Sequence, residues 1–132
     1  MTLELHATPH EVMRAVEAFE EFGRAQSVPG PIIYKLQLAL EECASNIVNH
    51  ALQRDAQKKF YVTFERAGSE LSIELRDKGP EFDPTAKAVS EKPHNEDDIG
   101  GWGIQLVRRS VDEVRYQRAG EENVLQLIKR LA

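Results

Sequence analysis

Glu42 and Asn46 stand four residues apart in a stretch whose apolar residues recur at helical spacing. On a helix such a pair projects from one face, within reach of a common ligand. The amide oxygen of Asn46 is a neutral ligand suited to Mg2+, a cation that prefers oxygen and keeps several waters while it bridges phosphates. The carboxylate of Glu42 can take a proton from an attacking hydroxyl or water. Taken alone, the pair reads first as the solvated face of an amphipathic helix.

Two further segments follow in order. Asp77-Lys78-Gly79 closes a predicted strand. A strand-end aspartate can accept a hydrogen bond from an exocyclic amine such as that of adenine, and glycine lets a ring approach the backbone. Guanine shows a carbonyl where adenine shows that amine, so a carboxylate there discriminates between them. Gly100, Gly101 and Gly103 precede a predicted helix, where backbone N–H groups and the positive end of the helix dipole can face an anion. No Gly-Lys-Ser or Gly-Lys-Thr follows, and the glycine spacing is not that of a dinucleotide fingerprint. Separately these are a turn aspartate and a glycine-rich hinge; together, the three segments supply the parts of an ATP site.

The elements that must position these groups follow from periodicity. Leu3 and Leu5 alternate with Glu4 and His6 as in a half-buried strand. Thr8-Pro9 starts a helix that carries Val12, Val16, Phe19 and Phe22 on one stripe and runs to about Ala25. Pro29-Gly30-Pro31 breaks the chain, and a second helix spans about Ile32 to Ala51, with Ile33, Leu36, Leu40, Ala44 and Ile47 on one side and Glu42, Asn46 and Asn49 on the other. Strands are predicted over 60–64 and over Leu71–Arg76, joined by a hairpin at Ala67-Gly68-Ser69-Glu70. From Lys78 to Gly101 periodicity fails, apart from a short helix around Thr85–Val89. A loop of that length in a small domain is expected to act as a lid or binding segment. A short helix from Ile104 and a last pair of strands, around Val114–Tyr116 and Val124–Ile128, complete the reading.

Composition bounds the class. With 132 residues, 41% hydrophobic and 30% charged, the chain is expected to form one soluble globular domain over 1–132. Met1-Thr2-Leu3-Glu4-Leu5-His6 has neither a basic start nor a long apolar run, so no secretion signal, no membrane partner and a cytoplasmic location are expected. The net charge of −5, without a basic patch, argues against direct nucleic-acid binding. The single cysteine, Cys43, reads as a small buried thiol. His6, His10 and His94 show no ligand spacing with one another or with Cys43, so no zinc site is expected. His50 can touch phosphate or simply end a helix.

The run Leu38–Ala51 resembles the N box of the GHKL ATPases, in the form carried by bacterial anti-sigma factor serine/threonine kinases. Leu75–Pro84 resembles their first glycine box, and Gly100–Tyr116 their second. The resemblance implies an α+β fold, the two-layer sandwich of the GHKL (Bergerat) type, with a mixed, mostly antiparallel sheet, helices on one face and a mobile ATP lid at about 80–100. It implies ATP and Mg2+, with Glu42 as general base, Asn46 as the Mg2+ ligand and Asp77 as the adenine contact with Gly79 beside it. Gly101 and Gly103 are implied to serve the phosphates and the lid hinge, with Trp102 and Ile104 adjoining them at the nucleotide. Trp102 departs from the smaller aliphatic residue more usual in these kinases. Gln126 lies near the place where many members carry a threonine or serine that supports the adenine-binding aspartate.

Function then divides two ways. By the resemblance, the domain is a kinase that phosphorylates a STAS-type anti-anti-sigma protein, is opposed by a separate phosphatase and sequesters a sigma factor, in a possible homodimer built through the first strand and helix. Alternatively it is a nucleotide-gated binding module that transfers no phosphate. A histidine kinase is a weaker expectation, because no separate helical segment carries a phosphoacceptor histidine.

Overall fold

The structure, a computed structural model, describes residues 1–86 and 99–131, with the side chains of 86 and 99–103 left outside the description. Among the described residues five strands form one sheet: β1 (Thr2–His6), β2 (Lys59–Ala67), β3 (Glu70–Asp77), β4 (Glu113–Ala119) and β5 (Glu122–Arg130), in the order β1-β2-β3-β5-β4. Every described pairing is antiparallel, in keeping with the mostly antiparallel sheet that was expected. Alternation sends Leu5, Phe60, Val62, Phe64, Leu71, Ile73, Leu75, Leu125 and Leu127 to one face, where all are buried.

That face is covered by α1 (Pro9–Ala25), α2 (Gly30–Asn46) and α3 (Ile99–Ser110), with α2 packed against both neighbours. The start of α1 is the one its residues specify: Thr8 is the N-cap, its hydroxyl accepts the Glu11 N–H at 3.3 Å, and Pro9 opens the first turn where its missing N–H costs nothing. Val12, Ala15, Val16 and Phe19 face inward, and Phe19 meets Phe64 of β2 edge to face with centroids 5.1 Å apart. This contact joins the first helix to the middle of the sheet.

Three boundaries differ from the sequence reading. The second helix starts at Gly30, and its end is a π turn over Ile47–Ala51, where the Leu52 N–H bonds to the Ile47 carbonyl at 2.8 Å. Gln53 and Arg54 then take φ of 52° and 57°, and Arg54 Nε donates to Asn49 Oδ1 at 2.8 Å, which ends the helix with two successive left-handed residues. The third helix begins at Ile99, so Gly100, Gly101 and Gly103 lie inside its first turns rather than before it. The short helix expected at Thr85–Val89 is a 3-10 turn over Pro84–Ala86 as far as the described residues reach.

Candidate nucleotide site

A cavity of about 410 Å3 opens where the end of α2 and the π turn meet the end of β3, α3 and the inner face of β4 and β5. Its size suits a small-molecule ligand. Asn46, His50, Asp77, Phe82, Ile104 and Tyr116 are among the residues that line it. Asn46 ends α2, and the wider π turn carries His50 and Ala51 round to the same cavity. Such turns recur at functional sites because they re-aim side chains without ending the helix.

Asp77 is the last residue of β3 and only 4% exposed. Its Oδ1 accepts the Gly79 N–H at 2.8 Å and Asn123 Nδ2 at 3.0 Å. Both bonds fall on one oxygen, which leaves Oδ2 for a donor in the cavity. Gly79 is held in the turn beside Asp77, and its carbonyl accepts Arg118 Nη1 at 2.8 Å. Ile104, on the first inward turn of α3, is buried and forms apolar wall.

Glu42 lies one helical turn before Asn46 and is half-buried. Burial, then the charge of Glu41, push its carboxyl above the ordinary carboxylate value, against the opposing pull of a hydrogen bond with Asn46 and the nearby His50. A raised carboxyl is a better proton acceptor near neutrality. Glu42 does not itself line the cavity; among the described residues it reaches the site through Asn46. Cys43 is buried at the cavity wall with its thiol pushed up to about 12, so it is an inert packing group, as its position on the helix implied.

Gly101 and Gly103 occupy the first turns of α3, and the surroundings of the Trp102 side chain lie outside the described residues. So does most of the segment expected to be the lid, of which 80–86 are described. Gln126 does not support Asp77. It pairs with Glu74 on the opposite face of the sheet, Nε2 to Oε2 at 3.5 Å. The residue opposite Asp77 is Asn123, which sequence reasoning missed; the parity of β5 was the available signal, because 123, 125 and 127 share a face and 126 does not.

Fold and cavity together define an α+β sandwich of the GHKL type, with its cleft between the helices and one end of the sheet. The chain belongs to the histidine kinase-like ATPase domain family, whose profile matches residues 5–129. It is similar to the serine/threonine-protein kinase BtrW of Bordetella bronchiseptica, 28% identical over 133 residues that cover 99% of this chain and 94% of that one. It is also similar to the serine-protein kinase RsbW of Bacillus subtilis, 31% identical over 91 residues, 64% of this chain and 57% of that one. Among solved structures, the RsbU and RsbW domains of Rv1364c from Mycobacterium tuberculosis share the fold with a TM-score of 0.73 at 18% identity, covering 99% of this chain and 31% of that chain. The SiaB–SiaC complex from Pseudomonas aeruginosa gives 0.71 at 10% identity, over 97% of this chain and 88% of that one. The family resemblance carried by the three boxes is borne out.

Proposed function

We propose that this chain is an ATP-dependent serine/threonine protein kinase domain that works by partner switching. Its substrate is a hydroxyl on a small STAS-type anti-anti-sigma protein, a separate phosphatase reverses the transfer, and a sigma factor is the partner it sequesters. The observation that carries this reading is the buried carboxylate of Asp77, set at the wall of a nucleotide-sized cavity that Asn46 also lines. The named activities of BtrW and RsbW support the reaction class.

In this mechanism Asp77 Oδ2 accepts a hydrogen bond from the adenine amine, and the first-turn amides of α3 at Gly100 and Gly101 face the phosphates, because the leading N–H groups of a helix have no partner within it, while Gly103, one turn on, serves the phosphates by lacking a side chain. Trp102 and Ile104 flank the nucleotide, and residues 80–100 form its lid. Asn46 is the residue that would hold Mg2+. Its single amide oxygen fits an ion already carried by phosphates, and among the described residues no group of three His, Cys, Asp or Glu forms a self-sufficient metal site. When bound, the ion neutralises phosphate charge during transfer. Glu42 accepts the proton of the attacking hydroxyl, and the rest of the acceleration comes from positioning and electrostatics.

Glu42 stands outside the cavity lining, which favours one second reading: a module that binds nucleotide and switches partners without transfer. Glu42→Gln separates the two. Loss of phosphorylation with nucleotide binding retained supports the kinase, whereas unchanged phosphorylation removes Glu42 as base.

Among the described residues no helix is long and apolar enough to cross a membrane. We assign the protein to the cytoplasm, where ATP and such partners meet. A homodimer would use the edge strand β1 and helix α1, a reading supported by the exposure of Met13 on α1 and of Met1 just before β1.

A further inference from the structure

We infer that Asn123 is a positioning residue of the nucleotide site, one that pins a single oxygen of Asp77 and the backbone of residues 79–82 together, so that the remaining Asp77 oxygen is aimed at an amino group on the bound base. This rests on the nucleotide reading above and adds the residue that makes the recognition specific.

The placement comes from register. Asp77 of β3, Asn123 of β5 and Arg118 of β4 are directly paired across three neighbouring strands, so their side chains share one face of the sheet. Asn123 is 6% exposed and spends its whole hydrogen-bonding capacity here. Its Nδ2 donates to Asp77 Oδ1 at 3.0 Å and to the Pro80 carbonyl at 2.9 Å, with the Gly79 carbonyl further off at 3.4 Å. Its Oδ1 accepts the Tyr116 hydroxyl at 2.5 Å and the Phe82 N–H at 3.2 Å.

The amide can lie only one way round. The Phe82 N–H can only donate and the Pro80 carbonyl can only accept, so a flipped amide would set like groups against each other on both sides. Tyr116, whose hydroxyl can donate or accept, follows that orientation and donates to the same oxygen. Neither a carboxylate nor a hydroxyl at 123 can reproduce the set: the first has no proton for Asp77, and the second has one donor for two acceptors. The same clasp fixes Phe82, a half-exposed aromatic at the cavity wall, through its backbone. Loss of Asn123 therefore leaves the Gly79 N–H as the remaining described bond on Asp77 Oδ1, on a turn no longer tied to β5, which loosens the aim of the carboxylate and releases the wall beside it.

The test compares binding of ATP with binding of the purine nucleotide triphosphate that carries hydrogen in place of the 6-amino group, by calorimetry. Wild type, Asp77→Asn, Asn123→Thr and Asn123→Asp are measured, with thermal melting to show that each is folded. Wild type should prefer ATP by about tenfold or more, and Asp77→Asn should bring the ratio towards one. Asn123→Thr should lower the ratio at least about threefold, beyond any loss of affinity common to both ligands. If Asn123→Asp does not fold, Asn123→Thr decides alone. A wild-type ratio retained in Asn123→Thr, while Asp77→Asn loses it, overturns the inference and leaves the site reading standing. A wild type with no preference for ATP overturns the adenine reading itself, and the inference with it.

Discussion

A β-carbon built on Gly79 would lie 2.8 Å from both the Cβ and the carbonyl oxygen of Ala51, so the turn after Asp77 closes directly onto the end of the π turn after Asn46. The turns beside Asp77 and Asn46, the proposed base-recognising and metal-holding residues, are thus packed against each other. Gly79→Ala should cost about 1–3 kcal/mol, because one of the obstructing atoms is backbone and cannot swing aside. The same displacement moves Asp77, whose Oδ1 would lie 2.9 Å from the added carbon. A lowered melting midpoint together with weaker ATP binding is the expected outcome; unchanged values for both would show that the two turns are not coupled.

Glu42 gives the site a pH signature. Its carboxyl is raised, first by burial and then by Glu41, so if Glu42 is the proposed base, phosphorylation should be lost as pH falls through a value above the ordinary one. The stability effect has the opposite sense. The native state holds this proton to higher pH than the unfolded chain, so stability declines as pH rises from the ordinary value through the raised one. Glu42→Gln cannot ionise and should be at least as stable as wild type at neutral pH, while phosphorylation falls by about a hundredfold or more. Melting curves at several pH values, run beside a phosphotransfer assay, test both halves.

Asn46→Ala tests the proposed ligand to a phosphate-bound ion. Binding of ATP in the presence of Mg2+ is expected to weaken by about tenfold or more, with a much smaller change when Mg2+ is chelated. An equal loss with and without Mg2+ would instead make Asn46 a packing or nucleotide-contacting residue.

Much of the fold was legible locally. The alternation of Leu3 and Leu5, the Thr8-Pro9 start of α1 and the apolar stripe of α2 each follow from period and capping, and each stands in the structure. The start of α3 was set too late because glycine interiors cost helices roughly 1 kcal/mol per residue, a local penalty that packing of Ile104 and Val107 beneath the helix offsets. The π turn is invisible in the sequence because Ile47–Ala51 continues the same apolar pattern, and it shows only in the Leu52 N–H bond back to the Ile47 carbonyl. Asp77 could be picked out from its place before Gly79. For Asn123 the parity of β5 gives only its face, and its place opposite Asp77 depends on a strand register that joins residues far apart in the chain.

Cys43 supplies an independent check on the core. With its thiol pushed up to about 12 and buried, the reactive thiolate is scarce at pH 8. Thiol reagents should label the native protein at least about a hundredfold more slowly than the denatured chain. Equal rates would mean that the cavity wall opens readily to solvent.

The most direct measurement is a calorimetric titration of the purified protein with ATP and ADP, each with and without Mg2+, repeated for Asp77→Asn. A nucleotide site built on Asp77 and Asn46 requires binding that strengthens with Mg2+ and is lost or strongly weakened in the variant. No detectable binding of either nucleotide at millimolar concentration would contradict it and leave a domain that keeps the fold only as a surface for its partners.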